Sequence, residues 1–413
     1  MDIVLLLILV VEVCFLCFVD SRLWQTVFTP FIALSVPFTV VTVATALLSA
    51  IDDGVPAFYY PSLGVWMAGL LLFMVPSVVF SVIGINKVGS PYLFDATDDS
   101  YYILFRNVTF VILAVNMWRL SAALLSSVYT FGSDELSDEY EAVGLVAHLN
   151  QLLYALFPYM LLKADRHHKS AYAVIALTLV GMFAINVKSW IVAPLVAGFL
   201  LRVLAGKTVL SFRSVLLLVG GGVAVFYFSY LLLIVVTGQS ELSVRWFDFV
   251  STHLETYIIG GVLSFSLDFQ QGILEPEMTE SLFGPVINLF KALFGGEFTE
   301  VINPVRMSLG SLDDSNVRTF MGTIYCYSQS VGVSAAVVLY VSTLTYSTLW
   351  LFRHFPSLFT ALALCFNLTF LSLGFFEFYW LNLSCYELPV LCLFIDVVLY
   401  RFKIVLPANE STE

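Results

Sequence analysis

The sequence is poor in charge. Only 12% of its 413 residues are Asp, Glu, Lys or Arg, and 60% are hydrophobic, whereas a soluble globular domain carries about 25% charged residues. Apolar runs of about 20 residues, the length that crosses a bilayer, recur along most of the chain. This composition excludes a soluble globular domain and predicts an all-α polytopic integral membrane protein.

Several functional motifs are absent as well. The net charge of −12 argues against nucleic acid as a partner, because nucleic-acid binding needs a basic surface. The chain has no Walker A motif, no GxGxxG stretch and no D-x-D pair, and its Cys and His residues have no zinc spacing. Cys14 and Cys17 form a C-x-x-C spacing inside an apolar run, which we interpret as small apolar side chains. The sequence therefore predicts neither a cofactor nor a metal.

About eleven helices are predicted to span the membrane. Their ranges are about 1–19, 28–51, 62–86, 101–125, 141–162, 170–186, 189–204, 214–236, 322–349, 357–380 and 382–400. No Lys or Arg precedes the first run, and a secretory signal begins with basic residues, so we expect an uncleaved first helix. Most basic residues fall in alternate loops, which the positive-inside rule assigns to the cytoplasm. The N-terminus is then outside and the C-terminus is cytoplasmic.

The predicted topology divides the chain into three parts. Residues 1–236 hold eight spanning helices, and 322–413 hold three more with a short cytoplasmic tail. Between them lies one large periplasmic loop, 237–321. Two apolar runs in this loop, 257–265 and 283–290, are too short to span and predict re-entrant or interfacial helices.

A tight helical hairpin is predicted over 170–204, because this segment lies between two basic clusters that share a side. It must cross twice, with two helices of about 16 residues each, which is below the usual span length. Lys188 would sit at its outer apex.

Three cations on the acidic outer side are candidate ligands for an anion. Lys188, Arg245 and Arg318 could hold the diphosphate of a lipid carrier, with Arg as a fork and Lys as a point charge. The alternative for Arg245 and Arg318 is pairing with the many carboxylates of this face. For Lys188 it is a side chain that extends to the membrane interface.

A general base is the second candidate feature. His253 lies in the large loop and would share a helix face with Tyr257, four residues further on. A histidine is suited to removing the proton of a sugar hydroxyl, and the alternative is an ordinary loop histidine. Asp268 and Glu255 compete for the role, since burial of Asp268 behind a short apolar helix would raise its pKa.

One stretch carries a resemblance to a known family. Asn316-Val317-Arg318-Thr319 enters the next predicted helix, after a short hairpin with a basic apex and a large outer loop. This outline, over about 170–350, resembles the O-antigen and capsule repeat-unit polymerases. Many members carry an acidic residue and a glycine shortly before the position of Gly332, where this chain has Tyr327-Ser328-Gln329-Ser330.

The resemblance implies a metal-independent glycosyltransferase of the bacterial inner membrane that polymerises undecaprenyl-diphosphate-linked oligosaccharides. The cations would stabilise the leaving diphosphate, and Trp246, Tyr257 and Tyr325 would contact sugar rings. Membrane lipids, and a protein that regulates chain length, would be its partners. Two other functions stay open: an O-antigen ligase, which shares the outline, and a flippase or other transporter of lipid-linked oligosaccharides. Transporters commonly show internal repeats, which this sequence lacks.

Overall fold

The computed structural model describes residues 2–84, 99–125, 144–185, 188–237, 244–272 and 277–401, together with Phe94 and Leu136. Throughout this part of the chain the regular elements are helices, and the only β-structure is one isolated bridge between Met307 and Ser315. The predicted all-α class is confirmed.

The described part of the chain contains fifteen α-helices. In chain order they are α1 (Asp2–Trp24), α2 (Pro30–Ile51), α3 (Leu63–Gly84), α4 (Tyr102–Leu125), α5 (Leu145–Lys163), α6 (Lys169–Ile185), α7 (Lys188–Leu204), α8 (Phe212–Thr237), α9 (Val244–Gln271), α10 (Thr279–Leu282), α11 (Gly284–Phe294), α12 (Phe320–Ser328), α13 (Val331–His354), α14 (Leu358–Ser372) and α15 (Ser384–Asp396). Short 3₁₀ turns precede α3 and α15, and a π-turn follows α15. Among the described helices, seven are long and apolar enough to cross a membrane: α1, α2, α3, α4, α5, α8 and α13. The chain is therefore a multi-pass membrane protein, while the count of about eleven spans stays a prediction.

Two predicted segments differ from the structure. The span predicted over 322–349 is divided into α12 and α13, because Gln329 adopts a left-handed backbone with φ 47°. The short apolar run 257–265 lies within α9, a helix of 28 residues. An apolar run shows only the apolar part of a helix. Here polar residues on both sides of the run continue the helix beyond it.

The predicted short hairpin corresponds to α6 and α7, which have 17 residues each and are about 26 Å long. Lys188 is the first residue of α7, but its side chain lies outside the described residues. At the other end of α7, Arg202 and Lys207 donate to the carbonyl oxygens of Leu161 and Leu162, over 2.8 and 3.1 Å. These cations satisfy carbonyl groups that the last turn of α5 leaves free.

The chain divides into two compact units. The first contains residues 1–88, 241–354 and 367–386, and the second contains the remainder. In the first unit α3 packs against α1 and α13. A buried carboxylate, Asp20, accepts hydrogen bonds there from Ser77 over 2.5 Å and from the Tyr346 hydroxyl over 2.9 Å. Such polar contacts tie membrane helices together where lipid offers no hydrophobic driving force. In the second unit α5 packs against α6 and α7.

Candidate functional site

The first unit contains a pocket with a volume of about 450 Å³, within the range of small-molecule sites. Its walls come from α9, from residue Phe376, and from residues 305–317, which we name the pocket loop. The lining residues are His253, Thr256 and Tyr257 of α9, Phe376, and Arg306, Asp313, Asp314, Ser315, Asn316 and Val317 of the pocket loop.

The pocket loop has a defined shape. Met307 and Ser315 exchange two backbone hydrogen bonds of 2.8 and 2.9 Å, which close the loop into a hairpin. Gly310 turns the chain with φ +69°, and a methyl group there would lie 2.2 Å from the carbonyl oxygen of Gly54. The same oxygen accepts from Ser311 N over 2.8 Å. Only glycine fits this turn, and the loop is thereby fixed to the connection between α2 and α3.

A histidine and a carboxylate pair inside the pocket. His253 Nδ1 lies 2.5 Å from Asp313 Oδ2, and the backbone N–H of Asp313 donates to Thr256 Oγ1 over 3.1 Å. The carboxylate is close enough to orient the imidazole ring. His253 and Asp313 therefore bring an imidazole and a carboxylate together at the pocket, a combination that is suited to general-base chemistry.

Arg306 supplies a cation to the same pocket. Its side chain is exposed, and among the described residues it forms no ion pair with a carboxylate. The neutral polar residues Ser315 and Asn316 line the same pocket, as do the carboxylates of Asp313 and Asp314. An accessible guanidinium of this kind can hold an anionic group through a forked pair of hydrogen bonds.

Aromatic rings form one wall of the pocket. Tyr257 and Phe376 stack with ring centroids 5.4 Å apart and 12° between their planes. Gly261 permits this contact, because a methyl group there would lie 2.5 Å from the carbonyl oxygen of Phe376. Burial raises the pKa of the Tyr257 hydroxyl, so the phenol remains a neutral hydrogen-bond donor at pH 7.

Arg318 and Asp268 lie beside the pocket and pair with each other. Arg318 Nε donates to Asp268 Oδ2, and the two side chains are 2% and 1% exposed. The remaining guanidinium nitrogens donate to the carbonyl oxygens of Val317 and Val305, each over 3.1 Å. Neither charged side chain lines the pocket. The diphosphate contact predicted for Arg318 and the base role predicted for Asp268 therefore have no support in this arrangement, in which the pair fastens both ends of the pocket loop to α9.

The other predicted site residues lie apart from the pocket or outside the description. Glu255 is exposed on α9 and does not line the pocket. Trp246 and Tyr325 pack against neighbouring phenylalanine rings. The side chains of Arg245 and Lys188 lie outside the described residues. Of the nine predicted residues, His253 and Tyr257 are those that the structure places at the pocket.

Sequence reasoning missed several pocket residues. Asp313 and Asp314 lie three and two residues before Asn316, so their closeness to the stretch that begins at Asn316 was a usable signal. Arg306 lies in the same predicted outer loop as Arg245 and Arg318, and its neighbours in the sequence do not mark it as a pocket residue. Phe376 gave no signal, because it comes from a distant part of the chain.

The chain belongs to a family of unknown function, DUF6337, whose model matches residues 54–405. No curated protein and no solved structure matches the chain.

Proposed function

We propose that this protein is a glycosyltransferase of the bacterial inner membrane that polymerises polyprenyl-diphosphate-linked oligosaccharide repeat units on the periplasmic side. The observation that carries the proposal is the pocket in which an oriented histidine, an accessible arginine and an aromatic wall meet. The chain is also a multi-pass membrane protein, which suits a substrate attached to a lipid.

His253 would act as the general base. In the reaction, a hydroxyl oxygen of the acceptor forms a bond to the anomeric carbon of the donor sugar. His253 accepts the hydroxyl proton as this bond forms, and Asp313 stabilises the resulting imidazolium.

Arg306 would stabilise the leaving group. The bond between the anomeric carbon and the diphosphate oxygen breaks with both electrons moving to the diphosphate, so negative charge develops there. A fixed cation at that position contributes about 100- to 1,000-fold in rate, by analogy with oxyanion-hole donors. The stacked Tyr257 and Phe376 would cover the apolar face of a sugar ring.

The test uses a strain in which the gene is deleted and replaced by variants at matched membrane abundance. Deletion should abolish the ladder of long surface polysaccharides while single repeat units are still attached to their final acceptor. His253→Ala and Arg306→Ala should each reduce polymer formation about 100-fold or more. Glu255→Gln, on the same helix but outside the pocket, is the matched control and should keep the full ladder.

Three results would contradict the proposal. A full-length ladder from both alanine variants would show that the pocket takes no part in the reaction. Long chains that remain on the polyprenyl carrier after deletion would indicate a ligase, and single units that stay on the cytoplasmic side would indicate a transporter.

The expected independence of a metal is tested separately. With purified protein and lipid-linked repeat units, polymerisation should continue in excess EDTA, and loss of activity that Mg²⁺ restores would refute metal independence.

A further inference from the structure

Exposed apolar side chains lie along α11 and along the segment that joins it to the pocket loop. These side chains are large, hydrophobic and more than half exposed. We name this set the apolar face: Leu289, Phe290, Leu293, Phe294, Phe298 and Val301. Patches of this kind on a protein surface indicate an interaction with protein or lipid.

The apolar face belongs to a fixed part of the structure. The opposite side of α11 is anchored, because Gly284 and Pro285 are buried. Asn288 Oδ1 accepts from both the backbone N–H and the hydroxyl of Thr299, over 2.8 and 2.9 Å. These bonds hold the segment after α11 against the helix. With 11 residues, α11 is about 16 Å long and cannot cross a bilayer.

The position of α11 favours lipid over protein as the neighbour of this face. Phe283, just before α11, contacts Tyr340 with ring centroids 5.7 Å apart. Tyr340 lies nine residues (340 − 331) after the start of α13 at Val331, which is about 14 Å along that helix. Since α13 is long and apolar enough to span a membrane, α11 begins beside the interior of a candidate spanning helix.

Along the chain, the apolar face is followed by the cation of the pocket. Val305 is exposed like the residues of the apolar face, and the next residue is Arg306, which lines the pocket. Arg318 Nη2 holds the carbonyl oxygen of Val305 over 3.1 Å, so this junction is fixed. The lipid carrier is an apolar chain that ends in a diphosphate. Apolar side chains followed by a cation could therefore contact its two parts in the same order.

We propose that the apolar face binds the polyprenyl chain of the lipid carrier within the membrane and thereby brings its diphosphate to Arg306. The inference rests on the proposed function and names the part of the substrate that this surface recognises. It predicts a contact that can be measured without any glycosyl transfer.

The experiment places photoreactive benzoylphenylalanine at Phe294 of the full-length protein in nanodiscs. The nanodiscs contain phospholipid with a minor fraction of undecaprenyl diphosphate. The same probe at Leu7, which is 58% exposed on the spanning helix α1, is the control for bulk lipid. After irradiation, mass spectrometry of the adducts should show polyprenyl enriched over phospholipid about tenfold at Phe294 relative to Leu7, a preference of about 1.4 kcal/mol.

Each other outcome overturns the inference. Equal adduct ratios at the two positions would mean that Phe294 meets bulk lipid only. Crosslinks to a second copy of the chain, or no lipid adduct at Phe294, would exclude lipid as the neighbour.

A second arm uses Leu293→Asp, which should raise the KM for long-chain donors about tenfold and leave short-chain donors unchanged. The conservative Leu293→Ile should behave as wild type. If polyprenyl is enriched at Phe294 but no polymer forms, the proposed function fails while the lipid contact stands. If polymer forms without enrichment, the inference fails alone.

Discussion

Removing one charge of the Asp268–Arg318 pair should destabilise the protein strongly. Asp268→Asn keeps the shape of the side chain but leaves the Arg318 guanidinium charged at 2% exposure. An uncompensated charge left by breaking a buried pair costs about 3–5 kcal/mol. The two bonds from Arg318 to Val305 O and Val317 O remain, so we expect about 3 kcal/mol.

The double variant Asp268→Leu with Arg318→Met separates stability from function. It removes both charges and fills a similar volume with apolar atoms, an exchange that is often neutral or stabilising. The free energy of unfolding should therefore return close to the wild-type value. The pocket loop loses the bonds to Val305 O and Val317 O, however, and activity should remain low because Arg306 and Asp313 are no longer held opposite His253.

The measurements are denaturant unfolding in mixed micelles and the polysaccharide ladder at matched abundance. Glu255→Gln, an exposed change on the same helix, should alter stability by no more than about 0.5 kcal/mol. If Asp268→Asn unfolds at the same denaturant concentration as wild type, the Asp268–Arg318 pair does not hold the pocket loop. If the double variant is stable and fully active, the fastening of the loop has no role in the site.

Three further predictions follow from the described residues. Asp313→Asn should lower the transfer rate about 100-fold or more at unchanged abundance, because His253 loses the group that orients it. A wild-type rate would show that the His253–Asp313 pair has no part in catalysis. Gly261→Ala should destabilise the protein by about 1–3 kcal/mol, since its methyl group would lie 2.5 Å from a backbone oxygen, whereas Gly64→Ala meets no atom within 4 Å and should be neutral in the same unfolding assay. In a background without native cysteines, Ser308→Cys should react with an impermeant maleimide in cells with a permeabilised outer membrane and His167→Cys should not, and the reverse labelling would invert the topology.

The membrane helices could be predicted because the signal is local. A run of about 20 apolar residues by itself indicates a spanning helix. The predicted ranges coincide closely with α1 to α5 and with the pair α6 and α7. The prediction was less accurate where a helix is polar at its ends, as in α9, or where one residue leaves the helical conformation inside an apolar run. Gln329 gave no warning of its left-handed backbone.

The pairings of the site could not be predicted, since they join distant segments. Arg318 and Asp268 are 50 residues apart, and His253 and Asp313 are 60 apart (313 − 253). Periodicity indicates which side of a helix a residue occupies but not which loop folds against it. The sequence did suggest that outer cations could pair with carboxylates, and Arg318 follows that alternative. What separates it from Arg306 is burial, which only the tertiary structure determines.

The polymerase-like stretch joins the pocket to the membrane helices within four residues. Asn316 and Val317 line the pocket, and Arg318 points into the buried pair beside it. Thr319 is the N-cap of α12, and its hydroxyl accepts from Gly322 N in the first turn of the helix over 3.1 Å and from Trp66 Nε1 of α3 over 3.0 Å. Each position needs a different residue type. Asn316 is polar and lines the pocket, Arg318 is a cation that pairs with the buried carboxylate, and Thr319 has the hydroxyl that caps the helix. Because the four residues are consecutive, none of these contacts can shift along the chain without displacing the others.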